Sequence, residues 1–183
     1  MTRDSYSLFL PPNHLAEKGS KAWDKSERAE YLQWFLTEIP NRLQVLSDFL
    51  SLKINTDAPM ETFLVCAKQV CVALNDEQFF QAHEGKKVLT PGAGFSIGAD
   101  VGVLLAQLLL DRPSNLTWRA GKGPKSYISL NLPVLWEFGG QQELDPILVG
   151  INLCRGSLRE SSVEKWKTAY EYWRRHQPKP GAA

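Results

Sequence analysis

The sequence predicts a mainly helical α+β single domain with a small antiparallel sheet in its C-terminal half, and three observations lead there. Apolar residues recur at spacings of three and four through four stretches that end by residue 110. Two runs of strand-like composition follow, at 116–120 and 127–138. Two more helical patterns then occupy residues 145 to 176.

Taken in order, residues 1–22 alternate short apolar patches with Pro, Asn, Gly and Ser, which predicts an extended arm lying on the domain. Asp24 and Glu27 have capping-box spacing ahead of a first helix carried by Tyr31, Leu32, Trp34, Phe35, Leu36 and Ile39. Pro40 fits the first turn of a second helix with Leu43, Leu46 and Leu50 as its stripe, so the two are expected as a kinked or hairpin pair. A third helix starts near Asp57, with Pro59 in its first turn and Phe63, Ala67, Val70, Cys71 and Leu74 turned inward. Residues 78–98 read as less regular. Val101, Leu104, Leu105 and Leu108 define a fourth, deeply buried helix, which DRPSN at 111–115 breaks.

The two strand-like runs are joined by the loop GKGPK, and Pro133 inside the second argues for an edge strand, a bulge or two shorter strands. Asp145 and Pro146 start a helix with Ile147, Leu148, Ile151 and Leu158 facing in. A last helix, 161–176, aligns Val163, Trp166, Tyr170 and Trp173, and residues 177–183 read as a frayed tail. The globular unit is therefore placed at 23–176.

A chain of 183 residues, 43% hydrophobic and 22% charged, can bury a sizeable core without a covalent staple. Its net charge of +1 supplies no global drive towards nucleic acid or membrane. Residues 1–100 carry 10 basic against 13 acidic side chains and the remainder 11 against 7, a mild asymmetry. Cys66, Cys71 and Cys154 show neither CxxC nor CxxH spacing, so no disulfide framework, metal site or other cofactor is expected. No signal-peptide core and no run near membrane-spanning length is read, which predicts a cytoplasmic protein.

Each apparent chemical motif departs from its pattern. Gly92, Gly94 and Gly98 are spaced GxGxxxG, and the dinucleotide fingerprint is GxGxxG after a buried strand. The loop from Gly121 to Ser126 combines glycine, lysine and hydroxyl without the order GxxxxGK[ST]. His14, His83 and His176 are scattered. Asp100 reads as a cap of the fourth helix. The segment Trp166–Arg175 mixes aromatic and basic residues, but its helical spacing puts the aromatics in the core, so nucleic-acid binding is not the expectation.

Several stretches carry a resemblance: AEYLQWFLTEIPNRL at 29–43, IGADVGVLLAQLLL at 97–110, LTW at 116–118, LPVL at 132–135 and LDP at 144–146. In these, about a third of the chain, the sequence resembles small bacterial proteins of toxin-immunity type. The resemblance implies a protein that suppresses a secreted toxin by binding it. Many such inhibitors are distinctly acidic, suited to basic nucleases, whereas this chain is neutral, so the toxin it implies need not act on nucleic acid.

The expected function is accordingly a non-catalytic protein-binding module with another protein, a secreted toxin, as partner, and no membrane. Trp and Arg dominate interface energetics, so Trp23, Trp118 and Arg119, with Lys122 and Lys125 of the basic loop, are the contact candidates, while Trp136 is assigned to the core. The rival readings are an enzyme with a site around the 92–98 loop, Asp100 and Lys122, and a subunit of a larger complex.

Overall fold

Helix α2, Lys25–Leu50, runs unbroken for 26 residues where the sequence predicted two helices. Its start is the expected capping box, with the Asp24 carboxylate accepting the Glu27 N–H and the Glu27 carboxylate accepting the Asp24 N–H. Pro40 is exposed and removes one N–H from the ladder. The helix survives because its buried stripe keeps phase through the proline: Tyr31, Phe35, Ile39, Arg42, Leu46 and Leu50 all face the interior. Packing on both sides of Pro40 offsets a local cost of about 3 kcal/mol.

The computed structural model describes residues 5–111, 115–138 and 142–178. Residues 112–114 of the expected DRPSN break and 179–183 of the expected tail lie outside them. Residues 1–4 of the expected arm also lie outside them; residues 5–12 have no regular secondary structure, and the chain then forms a short helix α1, Asn13–Lys18, and a 3-10 turn, Ser20–Ala22. The indole N–H of Trp23 donates to the Leu15 carbonyl at 2.9 Å and its ring lies 4.5 Å from that of Tyr31, which ties α1 to α2.

Helix α3, Pro59–Ala73, begins with its proline in the first turn. The segment expected to be irregular contains a hairpin, β1 (Phe80–His83) and β2 (Lys86–Leu89). Its two-residue turn is Glu84-Gly85, with φ of 49° and 74°. That is the left-handed pair a type I′ turn requires, and Glu in place of Asn or Asp at its first position concealed it.

Helix α4, Ala93–Leu110, starts eight residues before its expected apolar run and is the centre of the core. It crosses helix α5, Pro146–Arg159, through Gly98, Gly102 and Gly150. A Cβ on Gly102 would overlap the Pro146 carbonyl, and one on Gly150 would overlap that of Gly98. Glycine is required at both, because the backbones themselves are in contact. By length and composition α4 is the one helix among the described residues that could cross a membrane, contrary to the sequence expectation; 78% of it is buried inside the fold.

Strands β3 (Thr117–Ala120), β4 (Pro133–Phe138) and β5 (Gln142–Leu144) form the expected C-terminal antiparallel sheet, in that order. Pro133 opens β4, so only the second half of the run 127–138 is strand. Helix α6, Glu164–Arg175, buries Trp166 and Tyr170 against Phe63 of α3. Gln177, placed in the tail by the sequence, is buried and donates to the Leu109 carbonyl at the end of α4.

Candidate functional site: a cationic groove at the start of α2

Two arginines of α2 have contrasting surroundings. Arg42 occupies a core position of the stripe and makes a bidentate pair with Asp100, Nε to Oδ1 at 2.9 Å and Nη2 to Oδ2 at 2.6 Å. The Tyr6 hydroxyl donates to the same Oδ2 at 2.6 Å, and Arg42 also donates to the carbonyls of Ser7 and Leu8. Asp100 is therefore not a helix cap, as the sequence suggested, but a fully buried acid inside α4. Burial pushes its carboxyl up, against the opposing pull of Arg42 and Tyr6. Burial also costs Arg42, yet its hydrogen bonds and charge contact with Asp100 more than compensate and hold the guanidinium above its ordinary value. The effect is to fasten the extended arm across α2 and α4, and every charge-bearing atom is used in doing so.

Arg28, also on α2, has a different setting. With Lys25, Ala29 and Leu32 it forms one wall of a groove of about 380 Å³, and Ala120, Gly121, Lys122 and Asn131 form the other. Its floor is apolar and its rim cationic. Lys25, Arg28 and Lys122 have no ion-pair partner among the described residues. The carboxylates nearest in sequence are committed elsewhere: Asp24 caps α2, and Glu27 is 2.7 Å from Lys18.

The far wall is rigid for local reasons. Gly121 donates its N–H to the Leu132 carbonyl, and Asn131 donates to the Gly121 carbonyl, closing residues 121–132 into a pinched loop. Gly121 lies so near the Ser129 carbonyl that a Cβ would overlap it. Asn131 takes φ of 66°, a conformation asparagine tolerates well, and its amide joins the Ser20 carbonyl to Arg28. Below the loop, Arg119 pairs with Glu143 at 2.9 Å and lies over the Trp136 ring. Tyr127, pushed up to about 12 by burial and then by its hydrogen bond to Glu143, belongs to the same cluster. The loop presents Lys122, Lys125 and Ile128 outward, with Ile128 60% exposed.

Of the five contact candidates, the fold brings only Lys122 into this groove, with Lys125 exposed on the adjoining loop. Trp23 is 7% exposed and spent on packing α1, so its side chain is no free contact. Trp118 is half-buried, 5.2 Å from the Phe35 ring, and Arg119 is held by Glu143 and Trp136. Trp118 Nε1 and Arg119 Nε are buried without a hydrogen-bond partner among the described residues. The trio 92–98, Asp100 and Lys122 is not assembled: Gly94 and Gly98 are packed within α4, Asp100 is sealed, and Lys122 faces the groove. Cys66 and Cys154 are buried, and burial pushes both thiols up, away from thiolate chemistry.

Sequence reasoning missed Lys25, Arg28, Leu32 and Asn131. Their signal was present, since Lys25, Arg28 and Leu32 follow at three and four residues, but Glu27 and Glu30 alternate with these cations along the same stretch of the chain. What the fold and groove define is an α+β domain with a built cationic recess. No protein-family model, curated protein or solved structure matches this chain.

Proposed function

We propose that this chain is a non-catalytic protein-binding module of the bacterial cytoplasm, an immunity protein that neutralises a toxin by direct binding. The observation that carries the reading is the groove, where unpaired Lys25, Arg28 and Lys122 surround an apolar floor beside the exposed Ile128. Such a surface complements an acidic segment that carries an apolar side chain. Charge attraction steers the encounter, and desolvation of the floor holds it. An acidic partner also fits a neutral inhibitor better than a basic nuclease would.

Affinity capture from the native host, with identification of the bound protein and of the neighbouring genes, tests this directly. The expected result is a secreted toxin in stoichiometric amount, with rescue of cells that express it. Joint Arg28→Glu and Lys122→Glu substitution is expected to weaken that complex by about tenfold or more at low salt, with the fold intact. An abundant, folded chain that retains no partner would sink the reading, and unchanged affinity in the charge-reversed variant would move the interface off the groove.

A further inference from the structure

A second recess lies on another part of the surface, between β2, the start of α4 and the last turns of α5. It measures about 400 Å³ and is lined by Gln81, Lys87, Val88, Leu89, Pro91, Phe95, Arg155, Leu158 and Arg159. That volume falls in the range of small-ligand sites. Its lining contains three cations and no carboxylate.

These cations are exposed and lie close together. Arg155 and Arg159 stand four residues apart on α5, the spacing at which like charges repel. Lys87 faces them from β2. None of the three has an ion-pair partner among the described residues, and the adjacent acid, Glu160, is taken by Lys165 at 2.7 Å. Two are held in position by rings: the Arg155 guanidinium lies 5.4 Å from the Phe95 centroid, and the Lys87 ammonium 4.1 Å from that of Phe80. Stacking of this kind orients a cation and leaves its N–H groups free to donate. The N-terminus of α4 is also at this edge and its dipole adds to the positive field, while the C-terminal end of α5 subtracts from it.

We propose that this recess binds a small organic phosphate, with the phosphate held by Lys87, Arg155 and Arg159 and an apolar moiety resting on Val88, Phe95 and Leu158. A dianion matches the concentration of positive charge better than a single carboxylate, and guanidinium groups bind phosphate oxygens through paired N–H bonds. The site is independent of the groove at α2 and of the toxin reading.

Phenyl phosphate is the probe, titrated into the full chain and followed by amide NMR shifts. Saturable shifts confined to residues 87–95 and 155–159, with submillimolar affinity, are expected. Inorganic phosphate should bind about tenfold more weakly, because it has nothing to place on the apolar floor. Lys87→Gln and Arg155→Gln are each expected to weaken phenyl phosphate about fivefold, and Lys122→Gln to leave it unchanged. Thermal melts of the variants confirm that the fold is retained, since all of these side chains are exposed.

The proposal is overturned by an absence of saturable shifts up to about 10 mM probe, or by equal affinity for inorganic and phenyl phosphate. Benzyl alcohol binding as well as the phosphate would overturn it too. So would a phosphotyrosyl peptide binding tenfold tighter, which would assign the recess to a protein ligand.

Discussion

Arg28 and Arg42 lie on nearly the same face of one helix, 14 residues and so about 21 Å apart, and have opposite fates. Arg42 is 3% exposed and gives its charge to Asp100 and the arm. Arg28 is half-buried, meets only neutral oxygens of Asp24 and Asn131, and keeps its charge unpaired at the groove. The first is a fastener and the second is available. The difference does not come from the helix, which is regular at both positions, but from what is packed opposite each: α4 with a buried acid in one case, the 121–132 loop with a neutral asparagine in the other.

The contrast is broken most severely at the buried end. Arg42→Met leaves Asp100 unpaired in the core and is expected to cost about 3–5 kcal/mol, measured by urea unfolding. The double variant Arg42→Met, Asp100→Leu should recover much of that loss. A single-variant cost below about 1 kcal/mol would mean that the pair does not bear charge in the interior.

Gly150→Ala tests the packing that presents Asp100 to Arg42, since the added methyl meets backbone on α4. The expected cost is about 3 kcal/mol, the upper end of overpacking, with a matching fall in Tm. A neutral result would show that α4 and α5 can separate without penalty.

Tyr31 lies on the stripe between the two arginines and reports how far the dry core reaches. Burial, with the Asp145 charge, pushes its hydroxyl up to about 12. Below pH 10 both folded and unfolded chains keep the proton. Between pH 10 and 12 only the folded chain does, so stability falls as pH rises, by about 2–3 kcal/mol from this group. Tyr31→Phe should flatten that part of the pH–stability curve, and an unaltered alkaline slope would place the hydroxyl in contact with water.

The smallest effect on folding is expected at the open end. Arg28→Gln should change stability by no more than about 1 kcal/mol, yet weaken an acidic partner, with a reduced salt dependence of binding. A large loss of stability would make Arg28 a second fastener and remove the contrast.

Much of the fold was legible in periodicity. The Asp24 capping box, the prolines opening α3 and α5 and the aromatic stripe of α6 all stand where local spacing put them. Each of these depends on residues a few positions apart; the C-terminal sheet stands there too, marked by local strand composition although its partners, such as Thr117 and Trp136, are distant in the chain. Pro40 misled because local chemistry disfavours a proline in a helix, and only the stripe's continuous phase through Arg42 signalled otherwise. An arginine in that stripe, between Ile39 and Leu46, was also the one hint of a buried partner. Asp100, between Gly98 and Gly102, read as the cap of α4, because the glycines before it hid the first two turns of the helix.

By itself, then, the amino-acid order determined the main helical stripes and the place of the C-terminal sheet, since these follow from evenly spaced apolar groups and local strand composition, but not the unbroken α2, the helix α1 or the β1–β2 hairpin. Tertiary structure alone decided which charges are spent and which are free. Pairing between residues 58 positions apart, such as Arg42 and Asp100, depends on how glycine contacts let α4 settle against α5 and on what then stands opposite each cation.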